Sequence, residues 1–130
     1  MKKSKVLFWS LRIIPTIIML QTLNFKFLGA DESVYIFSTI GIEPWGRYLS
    51  GSVELVASIL LLSRWNLFGA LLGAGTMTGA IFFHLTKLGI VVQDDGGLLF
   101  ILAMVTFLCC VALIFLNKDE LKRYLSLLKK

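Results

Sequence analysis

The chain is poor in the residues from which catalytic and electron-transfer centres are built. Its 130 residues include one histidine, two cysteines and two prolines, and only 16% are Asp, Glu, Lys or Arg. A lone histidine excludes bis-histidine haem. Cys109 and Cys110 are adjacent, so the chain encodes neither the spaced pair of a thioredoxin-type centre nor the motif of covalent haem attachment. No glycine-rich nucleotide loop follows a strand-like segment. One histidine beside Asp94 and Asp95 is a poor tetrahedral donor set, so no metal is expected. No cofactor is intrinsic on this reading, and any redox role needs a diffusible quinone or a partner protein. The scarcity of charge also excludes a disordered tail and a water-soluble core. With 57% hydrophobic residues and a mean hydropathy of +0.83, a domain this small has more apolar area than its polar residues can cover in water.

What is present instead is long apolar runs. Residues 6–25, 45–63, 66–84 and 97–116 are poor in charge, and each approaches the ~20 residues with which a helix crosses a bilayer. None alternates as barrel strands do. The expected fold is therefore all-α, a single domain over 1–130 built as a bundle of four transmembrane helices. Lys2, Lys3, Lys5, Arg64, Lys118, Lys122, Arg123, Lys129 and Lys130 fall on one side of these spans, which should be cytoplasmic and holds both termini. Trp9 and Trp65 mark that boundary, and Trp45 and Tyr48 the outer one. The basic residues flank apolar spans instead of forming a soluble face, so no nucleic-acid partner is expected. The apolar run after Lys5 is long, contains Arg12 and lacks a small-x-small cleavage site, so it reads as a retained span and not a signal peptide.

Spans two and three are joined by little more than Arg64 and Trp65 and must be neighbours. The longer first outer loop carries a helix signal of its own, with Asp31 as N-cap, Val34, Ile36, Phe37 and Ile40 as apolar positions and Gly41 as stop. It reads as a short interfacial helix, either a lid on the bundle end or a gate from the outer leaflet. At the other end Leu121, Tyr124, Leu125 and Leu128 share one face of an amphipathic tail that should lie on the inner leaflet.

Polar residues inside the spans are the candidates for chemistry. In the second span Arg47, Ser50, Gly51, Glu54 and Ser58 form one stripe, opposite Leu55, Val56, Ile59, Leu60 and Leu62. A polar stripe in lipid must turn inward, and Glu54 lies about 14 Å below the outer boundary. An intramembrane acid is a functional candidate, with an interhelical hydrogen bond as the alternative. Arg12 lies about 9 Å from the inner boundary, where it can snorkel to headgroups or use a carbonyl freed by Pro15. His84 shares a stripe with Gly69, Gly73, Thr76 and Ala80, facing Lys26 and the segment Gln93–Gly97; Asp94 or Asp95 should cap the last span. A proton or ligand site is thus expected at Glu54, His84, Arg12 and Lys26, with an interfacial histidine bonded to a loop as the alternative. Gly69 and Gly73, flanked by Gly75 and Gly79, favour close helix packing and leave a homo-oligomer open. Cys109 and Cys110 read as packing residues.

Several of these residues also form a family pattern: Arg12, then Lys26-Phe27-Leu28-Gly29, Gly41-Ile42-Glu43-Pro44, Gly51-Ser52-Val53-Glu54-Leu55, Ala80 with His84, and Gly96-Gly97. Over 12–116 the chain resembles the DoxX-like family of small four-span membrane proteins. The resemblance implies a bundle in the bacterial cytoplasmic (inner) membrane. It also implies an association with redox metabolism, since relatives include the membrane subunit of a thiosulfate-to-quinone oxidoreductase and components of thiol-oxidant defence complexes. The leading expectation is an accessory subunit, not a stand-alone enzyme, that binds a quinone-like lipid or docks an oxidoreductase. The alternatives are a non-catalytic assembly or interaction protein for another membrane protein, and a proton-coupled transporter.

Overall fold

The computed structural model describes residues 2–129; Lys130 and the side chains of Lys2 and Lys3, part of the charge asymmetry above, lie outside the described residues. The described chain is all helical. The helices are α1 (Lys2–Leu28), α2 (Asp31–Thr39), α3 (Trp45–Leu61), α4 (Asn66–Phe83), α5 (Leu98–Leu116) and α6 (Lys118–Leu128), and α4 runs into a π-helical turn over His84–Leu88. Three stretches, Lys5–Leu28, Asn66–Leu88 and Leu98–Leu116, are long and apolar enough to cross a membrane. α3 has 17 residues, because it ends at the tight turn before Asn66, and it carries the buried Arg47 and Glu54.

Helix ends follow local chemistry. α1 runs past Phe25 and through Pro15, stopping where Gly29 takes φ +69°, a conformation only glycine adopts without cost. α2 stops before Gly41 (φ +82°). Its N-cap is Ala30, not Asp31, which lies in the first turn and makes no capping bond; there its carboxylate still favours the helix dipole. α6 lies where the amphipathic tail was expected, with no buried residue and Tyr124 against Phe68 of α4.

α1, α3, α4 and α5 pack in a closed ring, each antiparallel to its neighbours. Two arginines set the α1–α3 register. Arg12 of α1 donates from Nε to the Leu61 carbonyl (2.6 Å) and from a terminal nitrogen to that of Ser63 (2.7 Å), at the C-terminal end of α3. Arg47 of α3 donates to the Lys26 carbonyl at the C-terminal end of α1 and pairs with Glu43 at 2.8 Å. Each helix thus places a guanidinium on the other's last carbonyls, where orphan acceptors and the negative dipole end need one. Arg12 is buried beneath the Trp9 ring, 3.9 Å from its centroid, and its partners are not the carbonyl that Pro15 releases.

The burial pattern is inverted relative to a protein in water. Arg47, Gly51, Glu54 and Ser58 face inward from α3 while Ile59 is 60% exposed; on α5 Thr106, Cys109 and Cys110 are buried while Phe115 is 68% exposed. At about 25 cal/mol per Å² this apolar surface would be costly in water and costs nothing in hydrocarbon. The core sits at the Arg12 end. A Cβ on Gly69 would lie 2.6 Å from the Leu61 nitrogen and one on Gly73 2.7 Å from Cys110 Sγ, so α4 touches the α3 backbone at the first and makes room for a buried α5 side chain at the second.

Candidate functional site

Towards the other end the ring opens. A cavity of about 540 Å³ lies among the C-terminal half of α1, the N-terminal halves of α3 and α5, the end of α4 and the π-turn, with α2 across its top. The walls are apolar and aromatic, with Phe25, Phe37, Trp45 and Phe83 among them; Lys26, Glu54, His84, Ser33 and Asp95 interrupt them. Three of the four residues singled out from the sequence, Lys26, Glu54 and His84, are brought together on this cavity. Arg12 is not; it sits about 21 Å along α1 from Lys26, committed to the end of α3.

Glu54 is 3% exposed and forms an ion pair with Lys26, whose Nζ meets Oε1. The Thr22 hydroxyl stands 3.1 Å from Oε2 and 2.8 Å from the Met19 carbonyl. With one proton it can donate to only one of them at a time. The Lys26 ammonium carries three N–H groups, of which Glu54 takes one, leaving two without a partner among the described residues. The burial cost of the acid is thereby met by its paired charge, with the hydroxyls of Thr22 and, 3.5 Å from Oε1, Ser50 beside it.

His84 is 5% exposed, with Nδ1 2.9 Å from the Gly89 carbonyl and its ring edge-on to Phe100. A carbonyl only accepts, so Nδ1 carries the proton and Nε2 of the neutral ring is an acceptor; among the described residues Nε2 has no hydrogen-bond partner. The loop bond is thus present together with a free nitrogen on a residue that lines the cavity. The π-turn that carries His84 adds a residue to the helical turn, a feature frequent at functional sites.

Asp95 holds the loop above. Its carboxylate accepts from the amides of Val92 (3.0 Å), Gly97 (2.8 Å) and Leu99 (3.2 Å), so it is Asp95 that caps the start of α5. Burial pushes the carboxyl up, but the three amide donors outweigh it and hold it below the usual carboxylate value.

Two contributors escaped the sequence. Thr22 precedes Lys26 by one turn, a spacing that could have revealed it. Ser33, 7% exposed on α2, lines the cavity with no partner for its hydroxyl among the described residues, and nothing in its surroundings along the chain marks it. Among the described residues no group of three or more His, Cys, Asp or Glu is placed to hold a metal ion. Comparison with protein families, curated proteins and solved structures finds no match for the chain.

Proposed function

We propose that this chain is a DoxX-like, four-span protein of the bacterial inner membrane, with both termini cytoplasmic, that serves as a redox-accessory subunit by receiving a quinone-like headgroup in the cavity beneath α2. α3 supplies the fourth span, shortened at both ends by the turns that flank it, and α2 lies on the outer surface. The observation that carries the reading is an apolar cavity whose polar groups retain unspent hydrogen-bonding capacity: two N–H groups on Lys26, Nε2 of His84 and the Ser33 hydroxyl. That set fits an uncharged ring bearing oxygens. The Lys26 ammonium donates to one ring oxygen, Nε2 of His84 accepts from a hydroxyl, and the Glu54 carboxylate, which accepts from Thr22, is the group that takes up and returns a proton. The bound quinone supplies the electron chemistry, and a partner oxidoreductase the electrons.

Purification in mild detergent followed by organic extraction and mass spectrometry tests this. A quinone should co-purify with the chain and be depleted in Lys26→Met. Absence of both a quinone and a redox partner overturns the reading. A second reading, a non-catalytic interaction protein, draws on Gly75, which is exposed on α4 with open space where its Cβ would be. It differs in one outcome: Glu54→Gln, which keeps the hydrogen bonds but not the proton exchange, would leave activity intact.

A further inference from the structure

We infer that the cavity opens sideways into the bilayer between α3 and α4, and that its occupant is an amphiphile whose uncharged head sits inside while a single aliphatic tail leaves through that window. The inference rests on the reading above, that a lipid-soluble headgroup enters the cavity, and adds the route and the shape of the molecule.

The separation of α3 and α4 can be followed glycine by glycine. At Gly69 the two backbones touch, since a Cβ there would meet the Leu61 nitrogen at 2.6 Å and the Ala57 carbonyl oxygen at 2.8 Å. About 15 Å further along α4, Gly79 lines the cavity, and a Cβ there would meet nothing within 4 Å. The facing positions of α3, Leu49 and Val53, are one turn apart, and both line the cavity. Leu49 is 56% exposed, so the same side chain touches the interior and the outside. Thr76, on the α4 side, gives its hydroxyl to the Leu72 carbonyl at 2.8 Å and so turns no unspent donor towards the gap. The rim is thus apolar at a depth inside the candidate span Asn66–Leu88.

The top is built differently. α2 touches α1, α3 and the π-turn, with its Phe37 buried against them, so a helix lies across this end of the cavity while no described helix crosses the gap between α3 and α4. A tail lying in the window stays in hydrocarbon and costs nothing to desolvate. The head exchanges headgroup-region contacts for Lys26, His84 and Ser33. Charge selects against an anionic phospholipid head. Three carboxylates, Glu32, Glu54 and Asp95, line the cavity against the one ammonium of Lys26, and that ammonium is already paired.

The test uses the full chain in phosphatidylcholine nanodiscs and two probes, a polyprenyl-tailed benzoquinone and the same ring without the tail, with binding read by native mass spectrometry. Gly79→Leu fills the window. It should weaken the tailed probe about tenfold and leave the tail-less ring within about twofold. Gly75→Leu, a residue with equal space that does not line the cavity, should change neither. Gly79→Ala and Gly79→Val fill the gap in steps, and a graded loss of the tailed probe carries the same result if the leucine variant does not fold. Equal binding of both probes by Gly79→Leu and wild type, or equal loss of both, overturns the window and leaves the cavity reading standing. Failure of wild type to bind either probe overturns both.

Discussion

The two ends of the helix ring are made from similar materials and behave in opposite ways. At the Arg12 end, polar groups are consumed by structure: the guanidinium caps α3, and Asn117 Nδ2 donates to Asn66 Oδ1 at 2.9 Å. Glycines there are spent on close packing, Gly69 against the α3 backbone and Gly73 against Cys110. At the Glu54 end, the ion pair is satisfied but Lys26, His84 and Ser33 keep capacity in reserve, and Gly79 faces open space. The difference shows that a buried charge or a glycine in a span says little by itself. What matters is whether its partners are already inside the chain.

That contrast can be broken most forcefully at the ion pair. Lys26→Ala leaves Glu54 buried without its cation and should cost about 3–5 kcal/mol, measured by denaturant unfolding in detergent; a loss below about 1 kcal/mol would mean that the Glu54 end is as solvated as a surface. Next come the glycines. Gly69→Val drives side-chain atoms into the α3 backbone and should cost about 3 kcal/mol, whereas Gly79→Ala should stabilise by about 0.5–1 kcal/mol. Equal effects at the two sites would erase the distinction between closed and open ends. Arg12→Met removes two charge-assisted bonds to the end of α3 and should cost about 2 kcal/mol without changing binding of the proposed quinone, since the cap is remote from the cavity.

The smallest effect is a pH dependence at the loop. Because the Asp95 carboxyl is held below its usual value, its contribution is fully present above the ordinary carboxylate pKa of about 3.9 and is lost as pH falls from there through the lower folded value. Asp95→Asn should remove that dependence and cost about 1 kcal/mol at neutral pH. Hydrogen exchange at the Val92, Gly97 and Leu99 amides reports it directly. Amides that stay equally protected in the variant would show that the loop is held by the buried Val92 instead.

Much of this was legible along the chain. The inward stripe of α3 follows from a 3.6-residue period, and Glu54, Ser58 and Arg47 are buried as it requires. The loop helix was visible between its glycines, although its cap was misplaced by one residue because a carboxylate in the first turn and one at the cap look alike in sequence. The candidate residues separated for a different reason. Arg12 and Glu54 are equally conspicuous as charges in apolar runs, but the partners of Arg12 are backbone carbonyls, which every residue carries and no residue type announces. Ser33 was invisible for the converse reason: a serine in a polar loop looks solvated until a cavity is found beneath it.

The sequence by itself determined the medium and the inward face, because hydropathy and helical period are properties of neighbouring residues and need no knowledge of the rest of the chain. Only the tertiary structure decided that Lys26 meets Glu54, that Arg12 does not, and that α3 and α4 touch at one glycine and part at another. Those outcomes depend on the axial offset and splay of helices far apart in the chain, which reciprocal arginine caps and backbone contacts set together.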